Sequence, residues 1–241
     1  MKHVKTWLLL SLLAALGLLV SFAFQKNSPS ESGHVNRRSK LPTRRQLWES
    51  AYRQRGTQII YPAAPQEIAD GYREYYKNVR RDREAEWFKR YVHSDAEFPA
   101  DSLGHKALSL VGAIGSNRQL QQLLPQLPIK LLDHGFRFRG QDYTAPDDIL
   151  YLLNPNPQNP MQLLTVLTGN SDSAILDFLN KNSRRLRRQM SEYYVAQQGR
   201  IVRFGFFQDE GEQAWQPEGA REYDLHGHEK QARITLRFSY V

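Results

Sequence analysis

The sequence predicts an α/β fold, a mixed sheet with flanking helices, preceded by a helical region and an N-terminal signal or anchor segment. Two buried-type apolar segments, 106–114 and 163–167, each end in a glycine turn that opens a helical pattern. Alternating, strand-like segments lie between and after them. Strand, turn and helix in this order are typical of helices packed on a sheet.

The N-terminus has the pattern of a targeting segment. Residues 7–24 form an unbroken apolar run behind two lysines, long for the roughly 7–15 residues of a signal-peptide core and just long enough to span a thin bilayer. Ser21 and Ala23 permit cleavage after Ala23, whereas basic residues downstream oppose a simple anchor by the positive-inside rule. Residues 1–24 are therefore a signal peptide or a membrane anchor. Either reading places the body in the cell envelope, outside the cytoplasm, as a membrane-anchored or secreted protein.

The amino-acid composition excludes several kinds of site and indicates which partners the protein favours. The chain contains no cysteine, which excludes disulfides, thiolate metal sites, cysteine nucleophiles and a lipid-modified cysteine. The formal net charge of +8 favours anionic surfaces such as lipid headgroups or acidic glycans. An exported protein rarely meets nucleic acid. The predicted partner is therefore an envelope protein or an anionic membrane surface, with membrane contact through residues 7–24.

The first part of the body is predicted to be helical. Residues 25–43 are rich in serine, asparagine and charge, which predicts a disordered linker. The helical region spans 44–97, where Thr43 is suited to cap a short helix that ends near Gly56. After a brief extended piece at 59–62, a long helix is expected from Pro65 to about Val92. The apolar side chains of the short helix are Leu47, Trp48 and Tyr52.

The α/β domain is predicted over 98–241. Its strands are expected at 106–114, 136–140, 149–153, 163–167, 193–196, 201–207 and 233–240, and its helices at 118–124 and 172–180. The stretch 141–146 is expected to be a loop. Asn154 to Pro160 contains three prolines, which we expect to exclude both helix and strand.

Two glycine turns are the candidate anion-binding elements. Free N–H groups at a helix start, with serine and asparagine side chains nearby, can hold an anion at the carboxyl ends of adjacent strands. The same residue types cap helices without any ligand, and capping is the favoured interpretation. The phosphate-loop pattern and a complete Gly-x-Gly-x-x-Gly are both missing. The residues concerned are Gly115, Ser116, Asn117, Gly169, Asn170 and Ser171.

Several of these segments resemble a known module. They are the Val-Gly-x-x-x-Ser-Asn turn at 111–117, the Asn-Pro-Gln-Asn-Pro segment at 156–160, the strand end at 163–170 and the Gly-Arg-Ile-Val-Arg-Phe-Gly-Phe-Phe segment at 199–207. Their order is similar to a small secreted bacterial α/β module that often accompanies HExxH gluzincin-type peptidases or exported α/β-hydrolases. Neither HExxH nor Gly-x-Ser-x-Gly occurs in this chain. The resemblance therefore implies an accessory module rather than a protease.

Two further clusters are candidate binding sites. Four arginines follow the helix predicted at 172–180, and they either complement the helix C-terminus or bind anionic groups at a surface. These are Arg184, Arg185, Arg187 and Arg188. His226 and His228 have the spacing of two metal ligands on a strand, but the neighbouring Gly227, Glu229 and Lys230 are typical of an ordinary hairpin tip, which is the favoured interpretation, so no metal and no other cofactor is predicted.

These observations predict an exported, membrane-tethered accessory or binding module of the cell envelope without its own catalytic motif. The alternative is an extracytoplasmic serine-type hydrolase built on the glycine turns at 112–117 and 168–171. In that case Ser116 or Ser171 would need a histidine base, His105 or His134, and an orienting aspartate.

Overall fold

The computed structural model describes residues 41–54, 56–79, 85–186, 191–224 and 229–230. Its α-helices are α1 (Arg44–Arg53), α2 (Gln66–Val79), α3 (Ala85–Tyr91), α4 (Arg118–Leu123) and α5 (Asp172–Leu186). Its strands are β1 (Gln58–Tyr61), β2 (Val92–Ser94), β3 (Leu108–Val111), β4 (Lys130–Leu132), β5 (Gly135–Phe138), β6 (Gln141–Tyr143), β7 (Ile149–Asn156), β8 (Asn159–Gly169), β9 (Tyr193–Gln197), β10 (Arg200–Phe206), β11 (Arg221–Asp224) and β12 (Glu229–Lys230).

A large mixed sheet organises the described residues. Its nine strands follow the order β2-β1-β3-β8-β7-β9-β10-β11-β12. The first four strands are parallel to one another, and each later neighbour pairs antiparallel. Strands β4, β5 and β6 form a separate small antiparallel sheet. Helices with a large mixed sheet confirm the predicted α/β class.

The parallel half contains a reversal of strand order. From β1 the chain passes through α2 and α3 to β2 on one side, then returns to the other side of β1 as β3. The chain from 44 to 97 thus supplies two strands of the same sheet that the later residues complete. In open α/β sheets, ligands usually bind beyond the carboxyl ends of the strands at such a reversal. The turns after β1, β3 and β8 lie at that edge.

Apolar side chains cover both faces of the sheet, as expected when strands carry helices on both sides. On one face, Leu47 of α1 and Leu120 of α4 belong to a core that includes Leu110 and Val166 of the sheet. Residues of α2 and α5 pack on the other face, in a core rich in tyrosine and phenylalanine. The result is a three-layer arrangement with the sheet in the middle. Among the described residues no helix is long and apolar enough to cross a membrane. Residues 1–40 lie outside the described part of the chain.

Helix α1 begins where local chemistry predicted it. Thr43 is extended and its hydroxyl accepts a hydrogen bond from the backbone of Gln46, while the Gln46 side chain accepts one from the Thr43 backbone. This reciprocal capping box satisfies N–H groups that a helix start leaves free. Leu47 and Ala51, one turn apart, are buried against the sheet.

The prediction for the proline-rich segment was wrong. Strands β7 and β8 continue through it as one hairpin, with Pro155 opposite Leu163 and the turn at Pro157–Gln158. The prolines are tolerated because this end of the hairpin extends beyond its neighbours: β9 pairs with β7 only over 149–152 and β3 with β8 only over 164–167. A proline there needs no ladder bond on its outer side.

Two other boundaries differ from prediction. Gln141–Tyr143, expected to be a loop, is strand β6, because it pairs with β5 across a two-residue turn at Arg139–Gly140. The helix expected to reach about Val92 ends close to that position, with α3 ending at Tyr91, but the next residues, Val92–Ser94, form an unexpected strand, β2, that pairs with β1. Strand pairing, which is not local, decided both cases. The strand predicted at 233–240 lies outside the described residues.

Candidate functional site

The structure brings the two glycine turns together at the carboxyl edge of the parallel strands. Because β3 and β8 are neighbours, the backbone N–H of Gly112 donates to the carbonyl of Leu167 at 3.1 Å. The N–H of Ile114 donates to the carbonyl of Gly169 at 2.9 Å. The predicted anion-binding residues on the two turns therefore share one edge of the sheet.

Asp172, the first residue of α5, supplies a carboxylate to this edge. Its Oδ1 accepts a hydrogen bond from the backbone N–H of Ala113 at 2.8 Å and another from the hydroxyl of Tyr72 at 2.9 Å. Tyr72 is fully buried, and burial together with the Asp172 carboxylate raises the pKa of its hydroxyl far above the usual range. The anion that faces the first turn is thus one of the chain's own side chains.

On the first turn, the Asn117 side chain forms four hydrogen bonds to the backbone. Its side-chain oxygen accepts from the backbone N–H groups of Gln119 and Leu120, both at 3.0 Å, and so caps α4. Its amide nitrogen donates to the carbonyls of Ile60 and Val111 at 3.0 and 2.9 Å. The side chain is completely buried. Asn117 therefore joins β1, β3 and α4 and uses its hydrogen-bonding capacity inside the fold.

The other residues of the first turn differ in exposure. The Ser116 hydroxyl donates to the carbonyl of Ala113 at 3.0 Å, which closes the turn. Gly115 is exposed, and a Cβ added there would meet nothing within 4 Å.

The second turn is also held by internal bonds. The Asn170 amide donates to the carbonyls of Tyr143 and Ala145 at 3.2 and 2.7 Å and so fastens the loop after β6. The Ser171 hydroxyl contacts that of Ser173 at 2.7 Å and accepts from the N–H of Ala174 at 3.4 Å. A Cβ on Gly169 would lie 2.5 Å from a backbone carbonyl oxygen of Asp148, so only glycine fits there.

Sequence reasoning did not identify Asp95 as a buried acid at this edge. Asp95 follows β2 and is 3% exposed. Its two carboxylate oxygens accept from the backbone N–H groups of Ala63 at 2.8 Å and Arg118 at 2.7 Å. Its position could not be predicted from the sequence, because no strand was expected directly after the long helix that ends near Val92.

In the described residues, the candidate serines for hydrolysis form no hydrogen bond with a histidine. Neither Ser116 nor Ser171 has a histidine among its hydrogen-bond partners. His105 and His134 are both exposed.

The metal and arginine hypotheses fall largely beyond the described residues. In the described part, no group of three or more histidine, aspartate or glutamate side chains could hold a metal ion. His226, His228, Arg187 and Arg188 lie outside the described residues, and the side chains of Arg184 and Arg185 on α5 are likewise not described.

The exposed surface of α1 carries two large aromatic side chains. Tyr52 is 87% exposed and Trp48 is 48% exposed. They are four residues apart and so are neighbours on one side of the helix. Beside them, Glu49 pairs with Arg45 at 2.7 Å and with Arg53 at 3.6 Å, and Arg45 holds the pKa of the Glu49 carboxyl below its usual value. We call these five residues the α1 face.

The opposite side of α1 is fastened to the body by polar contacts. The Arg44 guanidinium forms an ion pair with Glu192, whose side chain is 1% exposed. The Gln54 side chain donates to Gln162 of β8 at 2.6 Å and accepts from the N–H of Ala107 at 3.1 Å. Just before the helix, the indole N–H of Trp215 donates to the carbonyl of Pro42 at 2.8 Å. The α1 face is therefore presented from a helix held at both ends.

Comparison with known proteins does not assign a family. No family model matches the chain, and neither the curated proteins nor the solved structures contain a match.

Proposed function

We propose that this protein is an exported, membrane-tethered binding module of the cell envelope that works through the α1 face. The predicted signal or anchor at 1–24 supports a location in the cell envelope. The linker predicted at 25–43 leads directly into α1. The observation that carries the proposal is the exposed pair Trp48 and Tyr52. Large aromatic side chains left in solvent on a well-held helix are characteristic of interaction surfaces.

The geometry at the carboxyl edge of the sheet supports binding over catalysis. Asp95, Asn117 and Asp172 accept or donate hydrogen bonds within the fold, and two buried oxygens of the second turn, Thr168 Oγ1 and Asn170 Oδ1, have no hydrogen-bond partner among the described residues. The serines of the two turns are also engaged internally. Such bonds stabilise a scaffold, and they favour a role for the sheet in presenting the α1 face.

The test is retention of the body by the envelope after the linker is cut. A protease site is placed within residues 29–36 of the full chain, the protein is produced in its native cells, and isolated envelopes are treated with the protease. We expect the released body of the wild type to stay with the envelope. Trp48→Ala/Tyr52→Ala should release most of it, because the exposed aromatic pair is lost without loss of core packing.

The matched control removes two exposed apolar side chains elsewhere. Leu131 and Met161 are 55% and 53% exposed, so Leu131→Ala/Met161→Ala should behave as wild type. Complete release of the wild-type body on cleavage, or equal retention of the Trp48/Tyr52 variant, would contradict the proposal.

A further inference from the structure

We infer that the partner of the α1 face is an anionic lipid bilayer, with Trp48 and Tyr52 in the headgroup layer. The inference rests on the proposed function, since it names the partner of the same surface. Tryptophan and tyrosine have an apolar ring and a polar end, and they concentrate at membrane–water interfaces for that reason. Both lie on one side of α1, so both can enter one interface together.

The charges beside the aromatic pair complement anionic headgroups. Arg45 and Arg53 lie on either side of Glu49, with side chains 88% and 77% exposed, so the exposed charged row has a surplus of one cation. Each lysine or arginine near an anionic membrane surface strengthens binding about fivefold. The predicted linker adds Lys26, Arg37, Arg38 and Lys40 against the single acid Glu31.

The position of α1 in the chain brings it close to the membrane. It is the first described helix after residues 25–40, whose composition predicts a flexible chain. A flexible chain of that length has an average end-to-end distance of about 20–24 Å. If residues 7–24 anchor the protein, the tether gives α1 a high effective concentration at the bilayer surface. Weak contacts then suffice for binding.

The composition of the α1 face favours lipid over a folded protein partner. A stable protein interface buries about 800 Å² on each side around an apolar centre. On α1 only two aromatic side chains are exposed, and the residues beside them are charged. Aromatic side chains next to arginines are typical of helices that lie in the membrane–water interface.

The experiment repeats the linker cleavage on vesicles of known composition. Full-length protein is reconstituted into vesicles of phosphatidylcholine alone or with about 30% phosphatidylglycerol, the linker is cut, and the body that floats with the vesicles is measured. We expect at least about tenfold stronger retention on the phosphatidylglycerol vesicles. Trp48→Ala/Tyr52→Ala and Arg45→Gln/Arg53→Gln should each abolish most of that retention, and Leu131→Ala/Met161→Ala should not.

A second readout does not depend on these variants. The chain has no cysteine, so Thr57→Cys introduces a unique site next to the α1 face for an environment-sensitive fluorophore. Spin-labelled lipids should quench this fluorophore, but not one placed at Gln122→Cys on α4. Envelope retention that needs Trp48 and Tyr52, combined with no retention or quenching on anionic vesicles, would overturn the lipid inference and leave the binding proposal standing. Loss of envelope retention itself would overturn both.

Discussion

Arg44 and Glu192 connect helix α1 to the central sheet. Glu192 precedes β9 and is almost completely buried, so burial raises the pKa of its carboxyl, and the Arg44 guanidinium partly offsets that rise. Arg44 also lies over the ring of Phe206, with 5.7 Å between the guanidinium carbon and the ring centre. A single arginine at the first position of α1 thus links the helix to strands far along the chain.

Arg44→Met should destabilise the protein at neutral pH, because it leaves a buried carboxylate without its cation. We expect a loss of about 2–3 kcal/mol in the free energy of unfolding, below that for a fully buried pair because Arg44 is partly exposed. Urea denaturation at pH 7 measures it. Arg45→Met, on the exposed side, is the control and should change stability by no more than about 0.5 kcal/mol.

The same variant has a defined pH dependence. A glutamate whose folded-state pKa is raised contributes stability below its unfolded pKa of about 4.3, and loses that contribution as the pH rises through the folded value. Without Arg44 the folded-state pKa of Glu192 rises further. The difference between wild type and Arg44→Met should therefore shrink as the pH falls from 7 towards 4. A difference that stays constant would show that Arg44 acts through packing alone.

At the scale of single residues, local chemistry could be predicted and long-range partners could not. Thr43 was recognisable as a cap because its partner is three residues away. Asp172 accepts from Ala113 and Tyr72, which are 59 and 100 positions distant. No spacing in the sequence indicates such a contact, so the predicted anion-binding turns gave no sign that a carboxylate already lies beside them.

Among the elements, Asn117 shows how one side chain sets a helix against the sheet. Its carbonyl oxygen caps α4 and its amide holds the ends of β1 and β3. Asn117→Ala leaves these backbone groups without that partner in a buried site, so we expect a loss of about 3 kcal/mol in unfolding free energy. Thermal and urea unfolding of the purified protein measure the change.

Two further variants separate the roles of Asn117. Asn117→Asp keeps the oxygen that caps α4 but loses the donors to Ile60 and Val111, so it should still be clearly destabilised. Arg118→Ala, exposed on the same helix, should be close to wild type. If Asn117→Ala were also close to wild type, these hydrogen bonds would contribute little to the fold.

Elements with strong local patterns were predicted well, and those that depend on pairing were not. Helix α4 and strands β3 and β9 lie where apolar runs and turn residues indicated. Strand β2 and the prolines of the β7–β8 hairpin were missed, because pairing with distant strands outweighs local propensity there.

For the whole molecule, the proposed function requires that the body lie outside the cytoplasm. The prediction of an envelope location rests on the apolar run at 7–24, and the cationic surplus of the chain favours anionic surfaces there. The fold adds a broad sheet that holds α1 with its aromatic pair outward. If the body stayed in the cytoplasm, it would not meet the extracytoplasmic bilayer surface that this location implies for the α1 face.

The measurement that most directly tests the extracytoplasmic location of the body is the accessibility of one introduced cysteine in cells. Gln122→Cys is exposed on α4 and is the only cysteine in its chain, and Leu110→Cys, at a completely buried position, is the matched control. A membrane-impermeant maleimide is added to spheroplasts before and after lysis. We predict full labelling at position 122 before lysis, and labelling at position 110 only after denaturation. Labelling at position 122 that requires lysis would place the body in the cytoplasm and contradict the account.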